Sequence, residues 1–230
     1  MYVQKIKEIL DSGDLGHILA TSLVVSCYPD ARGPIAFEFF NYAIDPSNGS
    51  TMLDIDGGHL IDVLHYLFGP IASVTGHLTN QYPIYQPIDH ISGKPTGEPQ
   101  PQSDIHQIIF GVQFANKDGT VLSVNIRNVL SGHGAGLFWV IDGEKGTLKI
   151  RADGMKGQSF MRAQPELSLN GEKVEVAADT EAERCARYWN MFSEGAEGEY
   201  ATMENALQTK KVVDAIFRSN LNNEGRKVDL

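Results

Sequence analysis

The stretch 54-DIDGGHLIDVLHYLFG-69 decides how the chain is read, because it sets two aspartates, two histidines and a glycine pair against an apolar stripe. At ~100° per residue, Leu60, Ile61, Val63, Leu64, Leu67 and Phe68 share one broad arc of a helix. His59, Asp62 and Tyr66 fall together on the other side. The spacing therefore predicts a helix from about Gly58 to Phe68 that docks by its apolar arc and presents a polar triplet elsewhere. Gly57 and Gly58 are expected to let the backbone swing sharply into that helix. His59 then stands at the helix N-terminus, where the dipole favours a neutral imidazole, a competent general base. Asp62 is placed to orient the ring or hold a substrate hydroxyl, and Tyr66 to donate a proton. A structural reading of the same residues stays open: His59 caps the turn and Asp62 satisfies first-turn amides. The HxxDxxH spacing spreads its members too far round the helix for a metal centre.

Outward from this helix, "VQKIKEIL" at the start of the chain places Val3, Ile6, Ile9 and Leu10 on one helical face. Gly13 and Gly16 in "DSGDLG" end it. "HILATSLVVSCY", "AFEFFNYAI" and "ASVTGHLTNQY" read as strands. Residues 81–104 hold five of the ten prolines and read as a long loop, a lid or interface arm or a solvated connection. "HQIIFGVQFA" and "TVLSVNIRNVL" flank the turn Lys117-Asp118-Gly119, "LFWVIDG" and "GTLKIRA" flank Glu144-Lys145, and "PELSLN" and "EKVEVAA" meet at Asn170-Gly171. Helices return at "EAERCARYWNMFSEG" and "TMENALQTKKVVDAIFRSN". Such an order predicts an α+β fold: a large, mostly antiparallel β-sheet with helices packed on one face, in a single domain over 1–230.

The 230 residues are 42% hydrophobic and carry a formal net charge of −10 with no basic stripe, which argues against nucleic-acid and anionic-membrane partners. No apolar run reaches membrane-spanning length. The N-terminus does not read as a signal peptide, and Cys27 and Cys185 form no CxxC pattern, so a cytoplasmic location is expected. No GxGxxG turn opens a helix after a strand, so a dinucleotide-binding fingerprint is missing and no cofactor is expected. The glycine-rich run Gly132-His133-Gly134-Ala135-Gly136 has different spacing and reads as a turn between strands.

Four ordered segments, "VQKIKEILDSGDLGHILATS", "GGHLIDVLHYLFGPIASV", "VIDGEKGTLKI" and "ENALQTKKVVDAIFRSNLNNEGRKVDL", resemble the C-terminal domain of the Gfo/Idh/MocA oxidoreductases. The "GGHLID" form is most similar to a fungal branch that includes a non-catalytic galactose-pathway regulator. The resemblance implies a substrate domain whose usual companion is an N-terminal Rossmann domain, which holds NAD(P) and supplies a catalytic lysine in a Glu-Lys-Pro motif. No such tripeptide occurs here. His59 and Asp62 match the family's positions. The aspartate that many members place four residues before the histidine is replaced by Ile55, with Asp54 and Asp56 on either side.

Further candidates for binding a substrate are Asp54, Asp56, Arg127 in "SVNIRNVL", His133 and Trp139, with His106 and the aromatic residues Phe37, Phe39 and Phe138 behind them. Arg127 reads equally as a cross-strand ion-pair partner, and the aromatics as core. From these residues we expect a cofactor-independent enzyme of isomerase, dehydratase or cyclase type, acting on a small molecule of fungal secondary metabolism. Two other readings stay beside it: the substrate half of an NAD(P)-dependent dehydrogenase, and a regulatory module. An uncovered apolar sheet face predicts a homodimer.

Overall fold

The computed structural model describes residues 2–27, 33–115, 119–128, 136–154, 163–176, 180–195, 200–221 and 226–230. Helix α1 (Tyr2–Ser12) leads into β1 (Ile18–Cys27), whose alternating Leu23, Val25 and Cys27 are buried. After the short β2 (Ile35–Phe37), the chain runs through two 3-10 turns (Glu38–Ile44 and Pro46–Asn48), a π turn (Leu53–Gly57) and α2 (Gly58–Phe68). It then passes through β3 (Ile71–Thr79), β4 (Ile84–Ile88), β5 (Gln100–Pro101), β6 (Gln107–Phe114) and β7 (Val121–Asn128). β8 (Gly136–Gly143), β9 (Thr147–Asp153), β10 (Glu166–Leu169) and β11 (Glu172–Val174) follow. Helices α3 (Glu181–Ser193) and α4 (Met203–Leu221) precede the last strand, β12 (Val228–Asp229).

Nine strands form one sheet in the order β11-β10-β9-β8-β1-β7-β6-β3-β12. Every neighbouring pair is antiparallel except β1 with β7, where Leu23 faces Val124 and Val25 faces Ile126. The expected α+β architecture is what forms. Period-two patterning sets its faces: Ile108, Phe110, Val112, Leu122, Val124, Ile126, Leu137, Trp139, Ile141, Leu148 and Ile150 all point to one side and are buried. There they meet Ile6 and Ile9 of α1, Leu60, Ile61, Leu64 and Leu67 of α2, and Val212, Val213 and Ile216 of α4 in one core. The β10–β11 hairpin turns at Asn170 (φ 53°) and Gly171 (φ 88°), the two left-handed residues that a type I′ turn requires.

The opposite face of the sheet is partly open among the described residues, with Ser22 and Ser123 exposed but Ser26 buried, and it is not the apolar surface expected. Cross-strand polar pairs occupy its middle: Ser123 Oγ to Ser22 Oγ at 3.1 Å, Gln107 Nε2 to Asn125 Oδ1 at 2.7 Å, and Arg127 Nε to Ser26 Oγ at 3.3 Å. Exposed Leu19, Ile109, Val121 and Phe138 are set among them.

Two other local expectations change. In "AFEFFNYAI" only Ala36 and Phe37 stay in a strand, and 3-10 turns take over from Glu38. The proline-rich segment is not all loop: β2, β4 and β5 make a small second sheet, with β2 parallel to β4 and its own core of Ala36, Ile44 and Tyr85. Pro87 removes one donor from that ladder, which continues through Gln86 N–H to Pro34 O at 2.9 Å.

Candidate functional site

The helical rod that carries the polar triplet begins earlier than its glycines suggest. Thr51 is its N-cap: its hydroxyl accepts from Asp54 N–H at 3.2 Å, and the Asp54 carboxylate accepts from Thr51 N–H (3.2 Å) and from the hydroxyl (2.7 Å). Each of the two residues thus satisfies an open amide of the other. Asp54 also takes the Lys210 ammonium of α4 at 2.6 Å, with its own side chain only 7% exposed. Burial pushes the Asp54 carboxyl upward, but the Lys210 and Thr51 hydrogen bonds together overcome this and hold it below the usual carboxylate range. Fully buried Asp104 accepts from Met52 N–H at 3.4 Å and from Ile105 N–H at 2.7 Å, which fastens the end of the proline-rich segment to the start of the rod.

From Leu53 to Gly57 the rod is a π turn, so one extra residue is taken up before α2 begins. Gly57 and Gly58 do not make a sharp bend. Both are right-handed helical, with φ/ψ of −65°/−42° and −58°/−49°. A Cβ at Gly57 would stand 2.7 Å from Leu53 Cδ1, so close packing on Leu53 explains a glycine there. His59 consequently lies inside a continuous rod, not at a helix N-terminus, and the dipole argument drawn from that placement does not apply.

The division of faces is the one the spacing predicts. Leu60, Ile61, Leu64 and Leu67 are buried, Val63 and Phe68 half-buried, and His59, Asp62 and Tyr66 exposed together. Among the described residues, neither the His59 ring nor the Asp62 carboxylate takes a hydrogen bond, whereas Asp54 is fully engaged and Asp56 is half-buried beside it. His65, six residues beyond His59, has its basicity lowered by burial, against opposing contributions from the Gly69 backbone and Asp62. Among the described residues its Nε2 is buried without a hydrogen-bond partner, next to a cleft of about 410 Å³ lined by His65, Pro70, Asn205, Gln208, Lys211 and Leu230. That cleft lies about 9 Å further along α2 than His59, at 1.5 Å per residue.

The remaining candidates do not gather around His59. Arg127 is on the opposite face of the sheet from α2, half-buried against Ser26. Trp139, expected to touch substrate, is instead fully buried: Phe68 lies 6.3 Å from it, and its indole N–H donates to Thr21 Oγ1 at 2.7 Å. Phe37 and Phe39 stack at 5.6 Å with His90 edge-on to both, away from Phe138 and Trp139. His106 is buried, accepting from Gln81 N–H at 3.2 Å. His133 lies outside the described residues. Lys210 and Asp104, which fix the start of the rod, were not anticipated. Neither carries a local signal, because each acts on residues far away in sequence.

Among the described residues, no group of three or more His, Cys, Asp or Glu side chains is placed to hold a metal ion. No helix among them is long and apolar enough to cross a membrane. The glycine pair ahead of α2 offers no cradle for a diphosphate, since both residues lie within the rod.

Comparison with known proteins places this arrangement. Residues 1–152 match the family described as the Gal80p C-terminal domain. A dehydrogenase of Aspergillus oryzae, aclE, is 30% identical over 94% of the chain. Gal80p of Saccharomyces cerevisiae, in a super-repressor mutant, superposes with a TM-score of 0.81 at 18% identity over 99% of the chain. A levoglucosan dehydrogenase solved with NADH and L-sorbose gives 0.72 at 18% identity over 97%. The chain spans 58% of the length of the Aspergillus dehydrogenase and 62% of each of the two solved proteins.

Proposed function

The chain belongs to the Gal80p C-terminal-domain family, and from that premise we propose that it is the substrate-binding, proton-handling half of an oxidoreductase-type site for a hydroxyl-bearing small molecule. One observation carries the reading: His59 and Asp62 stand one turn apart on an exposed helix face with no hydrogen-bond partner among the described residues, while nearby Asp54 is committed to structure. A general base and an orienting carboxylate left open in this way suit a substrate hydroxyl, with His59 taking its proton and Asp62 fixing its direction. Tyr66, on the same face, lies within reach of the same ligand. The Gly57–Gly58 pair within the rod forms no diphosphate cradle, which supports assigning a redox step to a companion domain and recognition and proton transfer to this half. The 30% identity to a dehydrogenase favours this over the cofactor-independent isomerase, dehydratase or cyclase.

A regulatory role is the second reading, favoured by the likeness to Gal80p, which is described as a transcriptional regulator. Under either reading the open sheet face, with Leu19, Ile109, Val121 and Phe138 among its polar pairs, is proposed to join two copies.

The test is binding and turnover of a panel of polyols and sugar acids by the chain alone and together with a nucleotide-binding chain and NAD(P). His59→Gln and Asp62→Asn are expected to abolish turnover with little change in melting temperature, as both side chains are exposed. Turnover by the chain alone, without nucleotide but dependent on His59, would favour the cofactor-independent enzyme. Unchanged activity in both variants would remove this helix face from the site.

A further inference from the structure

Helix α3 is built inside out. Its apolar residues Cys185, Tyr188, Trp189 and Phe192 recur at the i, i+3, i+4, i+7 spacing of a docking face, yet Tyr188, Trp189 and Phe192 are 49%, 71% and 57% exposed. Cys185 is exposed as well, and no described side chain of α3 is buried. The side turned towards the domain carries half-buried Arg184, Arg187 and Met191, and there Arg187 Nη1 donates to Gln4 Oε1 of α1 at 2.9 Å. The outward stripe extends beyond the helix: Trp189 meets Phe192 edge-on at 6.1 Å, Phe192 meets Tyr200 at 5.4 Å, and Met203 and Leu207 of α4 are exposed further on.

Thr180 and Glu183 form a complete capping box, so the sequence specifies this helix strongly. A helix of this length is nonetheless marginal in water without a surface against its apolar face. Contiguous exposed apolar surface of this kind marks an interaction site.

In Gal80p the matching unit is the C-terminal domain, and this chain accounts for 62% of Gal80p's length, so further residues of Gal80p precede the shared unit. The Gln4–Arg187 bond sets the first turn of α1 against the inward side of α3, so a domain joined ahead of Tyr2 starts about one helix diameter (~10 Å) from the outward stripe. We propose that the Cys185-Tyr188-Trp189-Phe192 face of α3 is the docking surface for the domain that precedes this unit in its relatives. This inference rests on the reading above, in which a second domain completes the His59 site. It seats that domain beside α1, one of the helices that cover the same side of the sheet as α2.

The stripe carries its own probe, because Cys185 is exposed and Cys27 is buried. Alkylation of Cys185 by iodoacetamide, followed by peptide mass spectrometry, is compared between this chain alone and this chain joined at Tyr2 to the preceding segment of the Aspergillus dehydrogenase. NADH binding is measured on the same samples. Docking predicts that Cys185 in the joined protein reacts at least ~10-fold more slowly. Trp189→Asp in the joined protein is expected to restore the rate of the chain alone, with its circular dichroism unchanged. A joined protein that binds NADH while Cys185 reacts at the free rate overturns the docking surface and leaves the oxidoreductase reading standing. A joined protein with neither NADH binding nor protection overturns both. Protection that rises with the concentration of this chain alone, together with a doubled mass, also overturns the proposal, because the occupant is then a second copy.

Discussion

Replacing Asp54 with alanine separates its structural role from a part in ligand binding. The substitution removes the acceptor of the Thr51 capping box, a loss of about 1 kcal/mol. It also removes the Lys210 ion pair, worth roughly 0.2–1 kcal/mol because the Lys210 side chain is 63% exposed and screened by solvent. The sum is about 1.2–2 kcal/mol. For a chain of this size each kcal/mol moves the melting temperature by about 2–4 °C, so a fall of roughly 2–8 °C is expected. In urea the midpoint should drop with the slope unchanged. Thr51→Ala should account for about 1 kcal/mol and Lys210→Met for less, with a coupling between Asp54 and Lys210 of about 0.5 kcal/mol in a double-mutant cycle. Were Asp54→Ala to melt within 1 °C of the parent yet lose ligand binding, the anchoring role would be refuted and Asp54 would belong to the binding site.

Stability should fall on the acid side in two steps. His65 resists protonation in the folded state, so the unfolded chain binds the proton first and stability is lost as pH drops below about 6.5; Asp54, held low in the fold, adds a second loss below about pH 4. Melting curves from pH 3 to 8 should show both steps, and a His65→Gln variant lacking neither would count against the first assignment. Gly76→Ala should destabilise by about 1–3 kcal/mol, since a Cβ there stands 2.7 Å from Ile216 Cγ2 and 3.1 Å from Ile216 O; a neutral result in chemical denaturation would mean that α4 shifts freely on β3. Light scattering at micromolar concentration should give twice the mass of the monomer, and Ile109→Lys with Val121→Lys should return it to one chain; a monomer at that concentration rules out the sheet-face dimer.

The sheet and its helices were legible because they rest on periodicity. Alternation in "HQIIFGVQFA" and "TVLSVNIRNVL" fixed which side of each strand is buried, and the arc through Leu60, Leu64 and Leu67 fixed the docked face of α2. What escaped reading depends on contacts distant in sequence. Gly57 and Gly58 suggest a bend when taken alone; only the packing of Gly57 on Leu53 shows why a helix tolerates them. Trp139 alternates correctly into the core, but nothing local says that Thr21 satisfies its indole N–H. Asp54 looked like a ligand-binding carboxylate until Lys210, 156 residues away, filled its free oxygen. The polar middle of the outer sheet face follows from Ser22, Ser123, Asn125 and Gln107, each unremarkable on its own strand and paired only once the register is known.

The π turn between Leu53 and Gly57 works as a spacer between two fixed mechanical duties. Upstream, the cap and the Lys210 link moor the rod to α4; downstream, α2 aims His59 and Asp62 outward. Deleting a single codon inside it would wind the segment back to an ordinary helix, and because the wide turn already absorbs the surplus residue, the moored end and the aimed one would keep their relative bearing. A lineage could thereby gain or shed that one residue while both the mooring and the aim survive.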